Sequence, residues 1–214
     1  MTSIRSYSPL DSLLISLDQG IRTLLHTARS ERANPAVTVI ENSLTQTQKQ
    51  LSAALMRVNH TGEVCAQALY QGQAFTAADP RVRDKLAQSA IEENDHLLWC
   101  QTRIKELGGH TSYLNPLWYM GSLVIGVIAG KLGDGWSLGF LAETEYQVTH
   151  HLEKHLQQLP VADQKSQVII QQMRLDEMQH AQTAETMGAL PLPEGVKWAM
   201  QCLSKIMTTT VYWV

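Results

Sequence analysis

Cysteine is scarce in this chain, and neither sign of charge dominates it. The three cysteines, Cys65, Cys100 and Cys202, lie far apart and form no Cys-x-x-Cys pair. The sequence therefore predicts neither a disulfide framework nor a cysteine-ligated metal site, and a reducing, cytoplasmic setting fits this usage. The 17 basic and 20 acidic residues give a formal net charge of -3. Because this balance supplies no basic field, we expect no nucleic-acid partner.

Two further patterns are missing, a secretory signal and strand alternation. Arg5, Asp11 and Asp18 interrupt the N-terminus, so we expect an unprocessed chain. No run of alternating polar and apolar residues predicts a strand, and β-branched residues fall within helical periodicity. A length of 214 residues suits one domain with its own core. We therefore predict an all-α fold.

Helical periodicity and helix-breaking residues divide the chain into six predicted helices. These run from about Asp11 to His26, Thr45 to Thr76, Arg81 to Leu107, Ser137 to Leu159, Asp163 to Gly188 and Val196 to Val211. Gly108 and Pro160 supply breaks, Ser137 is expected to cap the helix that follows it, and Asp163 lies at the expected start of the next helix. We expect residues 1–44 to form an N-terminal helix and linker, 45–190 a four-helix bundle with an apolar segment at 110–132, and 191–214 a C-terminal amphipathic helix.

Two Glu-x-x-His sequences carry the strongest functional signal. They begin at Glu93 and Glu177, end at His96 and His180, and each falls within a long predicted helix. Residues three apart lie on one helical face, so each carboxylate and imidazole could converge on one metal ion. One such motif alone is more often a pair of surface charges. Two motifs favour a dinuclear site in a ferritin-like four-helix bundle, which also needs one glutamate from each remaining helix.

Glu63 and Glu145 are the candidates for these single glutamates. Glu63 lies in an apolar stretch and shares a face with Tyr70, and Glu145 shares the face of Leu138, Leu141 and other leucines. Glu143 lies off that face, so we leave it to solvent or to a supporting position. Glu63 precedes Glu93 by 30 residues and Glu145 precedes Glu177 by 32, which indicates two copies of one helix pair.

The donor set decides the metal. A carboxylate-rich set with nitrogen ligands and no cysteine suits iron or manganese better than zinc. We expect two iron ions per chain, with manganese as the alternative. Glu92 and Asp176 each lie four residues before a motif histidine, and either an acceptor for the second ring N–H of that histidine or a solvated acid fits this position.

The chain also resembles a known family. Residues 57–63 (RVNHTGE) and 70–73 (YQGQ) are similar to the helix-one signature of the demethoxyubiquinone hydroxylases, and the resemblance extends over nearly the whole chain from about residue 45. Asn59 and Cys65 depart from that signature, but neither is a proposed ligand. The bacterial members share the extra N-terminal helical segment.

This resemblance implies a ligand set, an activity and a location. The implied metal ligands are Glu63, Glu93, His96, Glu145, Glu177 and His180. The implied reaction is the oxygen-dependent hydroxylation of a polyprenylated demethoxy-benzoquinol ring in ubiquinone biosynthesis, by a peripheral protein at the cytoplasmic side of a bacterial cell membrane. Other proteins of that pathway are expected partners. Tyr70 and His151 are candidates for positions beside the ions, and solvated histidines are the alternative for His150, His151 and His155.

An apolar segment bears on the membrane question. Residues 109–130 contain no Lys, Arg, Asp or Glu, but the densest part is about a dozen residues, short of the roughly 20 that span a bilayer. Gly121, Gly126 and Gly130 are expected to weaken it as a lone helix. Together with the aromatic-rich C-terminus it predicts an interfacial or re-entrant membrane surface. The alternatives are that the two segments bury each other or form an oligomer interface.

Two other functions fit the same residues. A soluble ferroxidase or peroxidase of the ferritin and rubrerythrin kind would use the same ligands, but it would need no apolar segment. A membrane-associated lipid-binding scaffold would need no metal. Metal content distinguishes the scaffold from the two kinds of enzyme, and an apolar entrance to the site distinguishes the hydroxylase from the ferroxidase or peroxidase.

Overall fold

The computed structural model describes residues 18, 20–24 and 31–214, and these residues contain helices and no strand. Residues 18 and 20–24 are helical and lie within the predicted N-terminal helix, the rest of which falls outside the described residues. The helices that follow are α1 Gln46–Thr76, α2 Pro80–Glu106, α3 Asn115–Lys131, α4 Asp134–Gln158, α5 Gln164–Thr186 and α6 Glu194–Trp213. The all-α prediction is confirmed, and α1, α2, α4 and α5 are the four long helices of the bundle.

Side-chain caps fix the starts of three bundle helices. Thr45 and Gln48 form a reciprocal capping box at α1, and the Asp79 carboxylate accepts from the Arg81 N–H at α2, which begins with a proline. The Asp163 carboxylate accepts from the Ser166 N–H, and Asp163 lies at the start of α5 as predicted. Each cap supplies an acceptor to a backbone N–H that the helix itself leaves unpaired.

The predicted cap at Ser137 is wrong. Helix α4 begins at Asp134, after Gly133 with φ 108°. Glycine adopts this left-handed conformation without a Cβ penalty, so the chain can pass from α3 into α4 through two residues, Leu132 and Gly133. The Asp134 carboxylate accepts from the backbone N–H groups of Ala78 and Asp79, at 3.1 and 2.7 Å. This contact joins the start of α4 to the turn between α1 and α2.

The apolar segment forms helix α3, which packs along α1 through glycines. A Cβ atom added at Gly126 would clash with the backbone oxygen of Leu69, and one added at Gly72 would clash with that of Leu123. These glycines therefore allow the two helix backbones to approach closely. The expected weakening by glycine applies to a lone helix, whereas α3 gains packing against α1. Among the described residues, no helix is long and apolar enough to cross a membrane.

Among the described residues, two of the buried apolar clusters contain side chains from all four bundle helices. The first contains Leu55, Met56, Trp99, Ile104, Leu152, Ile169 and Met173. The second contains Tyr70, Leu86, Leu138, Leu141 and Ala184. On each of the four bundle helices, the predicted metal ligands lie between residues of the first cluster and residues of the second. Apolar side chains therefore lie above and below an ionisable layer.

Candidate metal centre

Four helices contribute six buried ionisable side chains to this layer. They are Glu63 on α1, Glu93 and His96 on α2, Glu145 on α4, and Glu177 and His180 on α5, and none is more than 5% exposed. The Nδ1 atom of His96 lies 2.8 Å from a Glu93 oxygen and 3.0 Å from a Glu177 oxygen. The Nδ1 atom of His180 lies 3.1 Å and 3.2 Å from oxygens of the same two glutamates. The structure thus brings all six predicted ligands together.

The six residues form two overlapping groups of possible metal donors. Glu63, Glu93, His96 and Glu177 make one group, and Glu93, Glu145, Glu177 and His180 make the other; within each group the donor atoms lie within 4.8 Å of one another. Glu93 and Glu177 belong to both groups. A carboxylate has two oxygens, so each of these two could bind one ion with each oxygen. The arrangement fits two ions with one histidine and one single glutamate on each side.

The four buried carboxyl groups of this layer favour the binding of cations. Burial, together with the neighbouring carboxylates, raises the pKa of Glu63 and of Glu145 well above the usual range. Oxygen Oε1 of Glu145 is buried and receives no hydrogen bond among the described residues. Buried ionised carboxylates are costly unless they are paired or bind metal. Two divalent ions would balance four carboxylates beside neutral imidazoles, so the residues fit a dinuclear centre.

The second ring nitrogens of the histidines contact acids from the opposite motif. Nε2 of His96 lies 2.9 Å from Asp176 Oδ2, and Nε2 of His180 lies 2.7 Å from Glu92 Oε2. Each acid therefore accepts a histidine N–H, which was one of the two alternatives for its role. The histidine is not the one four residues later on the same helix but the one on the facing helix. The prediction of the partner was wrong because sequence spacing describes one helix, whereas facing helices bring these groups together. An acceptor at Nε2 fixes the tautomer that leaves the Nδ1 lone pair for a metal.

The other acid considered on α4 lies away from the centre. Glu143 accepts a hydrogen bond from Gln147 at 2.7 Å and lies 3.8 Å from the Lys197 ammonium of α6. Tyr70 is buried in the second apolar cluster, and its hydroxyl has no hydrogen-bond partner among the described residues. Neither residue belongs to the two donor groups.

An apolar cavity of about 150 Å³ reaches the centre at Glu63. Its walls come from α1, α3, α4 and α6, and they include Cys65, Trp118, His151, Leu203 and Met207. Burial lowers the pKa of His151 to about 4, and that of His155 to about 3. Both imidazoles are therefore neutral at pH 7. Nε2 of His151 is buried without a hydrogen-bond partner among the described residues.

One residue at the edge of the centre escaped sequence reasoning. Arg32 precedes α1 in a segment without helical periodicity, yet its guanidinium lies 2.8 Å from Asp176 and 2.7 Å from Asp95. A lone arginine in a linker resembles any solvated charge, so the sequence offered no signal for this contact.

The chain is similar over most of its length to one protein family and to several of its members. A family model described as ubiquinone biosynthesis protein COQ7 matches residues 50–211. Relatives called 3-demethoxyubiquinol 3-hydroxylase align over nearly the full length. The protein from Dechloromonas aromatica is 54% identical over 94% of this chain and 98% of its own. The proteins from Nitrosomonas europaea and Nitrosococcus oceani are 55% and 50% identical, over 96% and 98% of this chain and 99% of their own in both cases.

Proposed function

The chain belongs to the ubiquinone biosynthesis protein COQ7 family, and we propose that it is an oxygen-dependent di-iron monooxygenase that hydroxylates the ring of a polyprenylated demethoxy-benzoquinol. The family membership confirms the resemblance drawn from residues 57–63. One observation of the structure carries the proposal: an apolar cavity ends at Glu63, a member of the buried carboxylate and histidine centre. An aromatic substrate with a lipid tail could therefore reach the centre without crossing a polar surface.

The ligand assignment is part of this proposal. Glu63, Glu93, His96 and Glu177 would hold one iron ion, and Glu93, Glu145, Glu177 and His180 would hold the other. When bound, the ions would activate dioxygen, so that one oxygen atom enters the ring and the other leaves as water, with two electrons from an external reductant and two protons from solvent. The two apolar clusters exclude water from the layer on both sides.

The cavity suits a quinol ring better than a hydrated metal ion or peroxide. Its lining includes leucine, methionine and tryptophan side chains, which offer favourable contacts to a ring and its tail. The neutral imidazole of His151 also lines the cavity, and its Nε2, which has no hydrogen-bond partner in the described part of the chain, is available to a quinol hydroxyl. This lining favours the hydroxylase over a soluble ferroxidase, whose substrates are polar.

A membrane surface completes the proposal. Leu117, Met120, Val124 and Ile128 form an exposed apolar stripe along α3, and Trp198, Ile206 and Trp213 are exposed on α6. Both helices also line the cavity. An exposed stripe of this kind suits the boundary between water and lipid. We propose that the protein binds peripherally to the cytoplasmic face of the cell membrane and takes its substrate from the lipid.

Hydroxylation under labelled oxygen tests the activity. Ferrous protein, an ¹⁸O₂ atmosphere, a reductant and a demethoxyubiquinol analogue should give a product with one labelled atom on the ring, detected by mass spectrometry. His180→Ala should abolish the product because it removes an iron ligand, whereas His150→Ala, a change at an exposed histidine of α4, should not. Iron-loaded protein that consumes oxygen or peroxide but leaves the quinol unchanged would favour the ferroxidase or peroxidase.

Vesicle flotation tests the membrane surface. The variant Leu117→Asp, Val124→Asp, Ile128→Asp should bind vesicles at least tenfold more weakly than wild type, because three charges replace exposed apolar side chains. The matched control is Ile91→Asp, Leu175→Asp, which changes exposed apolar residues of α2 and α5. If wild type itself remains unbound, or if both variants lose binding equally, this surface is not the membrane contact.

A further inference from the structure

The two halves of the centre differ in what holds the acid behind each histidine. Asp176 Oδ2, the acceptor for His96, also lies 2.8 Å from NH1 of Arg32. Glu92, the acceptor for His180, accepts instead from the amide of Gln88 at 3.1 Å, and no arginine contacts it among the described residues. Among the described residues, a guanidinium is therefore paired with the acid behind His96 and none with the acid behind His180.

Arg32 is held in place by several contacts although its side chain is 41% exposed. Its Nε donates to Asp95 Oδ2 at 2.7 Å, and its guanidinium lies over the Trp99 ring, 4.9 Å from the ring centroid. The backbone N–H groups of Glu31 and Arg32 donate to Asp95 Oδ1, at 2.8 and 3.3 Å. Asp95 lies next to His96 in α2. The Arg32 guanidinium therefore connects Asp176 of α5 with Asp95 of α2.

A second anchor holds the far end of the same segment. Arg103, which is buried in α2, pairs with Glu41 at 2.6 Å and with Asp163 at 2.7 Å. Residues 31–45 thus lie across α2 and α5 with one attachment at the metal centre and another at the start of α5. Loss of the Arg32 contacts would free the first attachment and leave the second.

We propose that Arg32 is a positioning residue for the ion held by Glu63 and His96, and that binding of this ion and docking of residues 31–45 stabilise each other. The inference rests on the proposed metal centre. Arg32 fixes the Asp176 carboxylate, Asp176 fixes the His96 ring, and the ring must present Nδ1 to the ion. Changes to partners of metal-binding histidines weaken metal affinity about 10- to 100-fold. Because coupling free energies are reciprocal, the ion should strengthen the docking by the same factor.

Anaerobic cobalt(II) titration, followed by the visible absorption of the bound ion, tests the first half of the proposal. Wild type should bind two ions. Arg32→Gln should weaken one ion about 10- to 100-fold and leave the other unchanged. Arg81→Gln is the matched control, because Arg81 is an exposed arginine of α2 whose ion pair in the described part of the chain is with the neighbouring Asp79. Asp176→Asn breaks the same connection from the other side and should weaken the same single ion, even if Arg32→Gln folds poorly.

Hydrogen exchange at the amides of Glu31 and Arg32 tests the reciprocal half. Both amides should exchange more slowly when cobalt is added to wild type, and Glu92→Gln, which alters the other histidine's acceptor, should retain this response. The inference is overturned if Arg32→Gln binds two ions as wild type does, if it weakens both equally, or if cobalt leaves the exchange unchanged. A different result would contradict the proposed activity alone: wild type binds two ions and shows this coupling but does not hydroxylate the quinol.

Discussion

The two helix pairs of the bundle carry the same ligand pattern but are buried differently. In α1, nearly every residue from Ser52 to Gln73 is buried, because α2, α3, α4 and α6 surround it. In α5, burial is confined to one stripe that includes Ile169, Met173, Glu177 and His180. Ligands of one centre thus come from a helix that is buried along most of its length and from an ordinary amphipathic helix. The ligands belong to the repeated pattern, whereas α3 and α6, which lie outside that pattern, complete the walls of the apolar cavity.

Removal of a shared ligand should have the largest effect in this comparison. Glu177→Ala should lose both irons and lower activity at least 1000-fold, because Glu177 belongs to both donor groups. Glu145→Ala should lose mainly one iron, and Glu143→Ala, which changes the neighbouring acid outside the centre, should lose neither. Iron analysis after anaerobic ferrous loading measures this, with circular dichroism as the check on folding. Unchanged loading of Glu177→Ala would contradict the assignment.

These two burial patterns also explain how far the sequence could predict the structure. On α4, one apolar stripe separated Glu145 from Glu143, and the structure buries the first and not the second. On α1 periodicity discriminates little, and Glu63 was identifiable because it is the only acid of that helix. Contacts between helices were not predictable, since the pairing of His96 with Asp176 depends on the relative placement of α2 and α5. The role of Gly126 escaped for the same reason.

The next largest effect is expected on stability, at the close contact between the backbones of α1 and α3. Gly126→Ala should lower the free energy of unfolding by about 1 to 3 kcal/mol, because the added Cβ meets the Leu69 backbone, which cannot rotate away. Gly121→Ala is the control on the same helix, at an exposed site with no atom near the added Cβ. It should raise stability by about 0.5 to 1 kcal/mol, since alanine favours a helix more than glycine does. Urea unfolding of both variants measures the difference, and equal effects would mean that the close approach does not matter.

A smaller, pH-dependent effect on stability is expected at the contact between the two helix pairs, where α4 meets α1. His155 of α4 donates from Nδ1 to Asn59 Oδ1 of α1 at 2.7 Å, and its ring centroid lies 4.0 Å from that of His151. Burial, and then the neighbouring His151, lower the pKa of His155 to about 3. The unfolded chain, in which this group has its ordinary pKa of 6.5, binds a proton as the pH falls and the folded chain does not. The stability contribution is therefore complete above pH 6.5 and is lost as the pH falls toward 3.

His155→Gln should remove this part of the pH dependence. Between pH 7 and pH 5, wild type should lose roughly 1 to 2 kcal/mol more stability than the variant, because only wild type has the titrating imidazole at this position. Urea unfolding of both proteins in the same metal state measures the difference, and the titrations of the metal ligands are common to both. His150→Gln, at an exposed histidine of the same helix, should follow wild type. Parallel curves for wild type and His155→Gln would show that His155 is not held neutral where α4 meets α1, and that the two helix pairs meet there without a pH-sensitive contact.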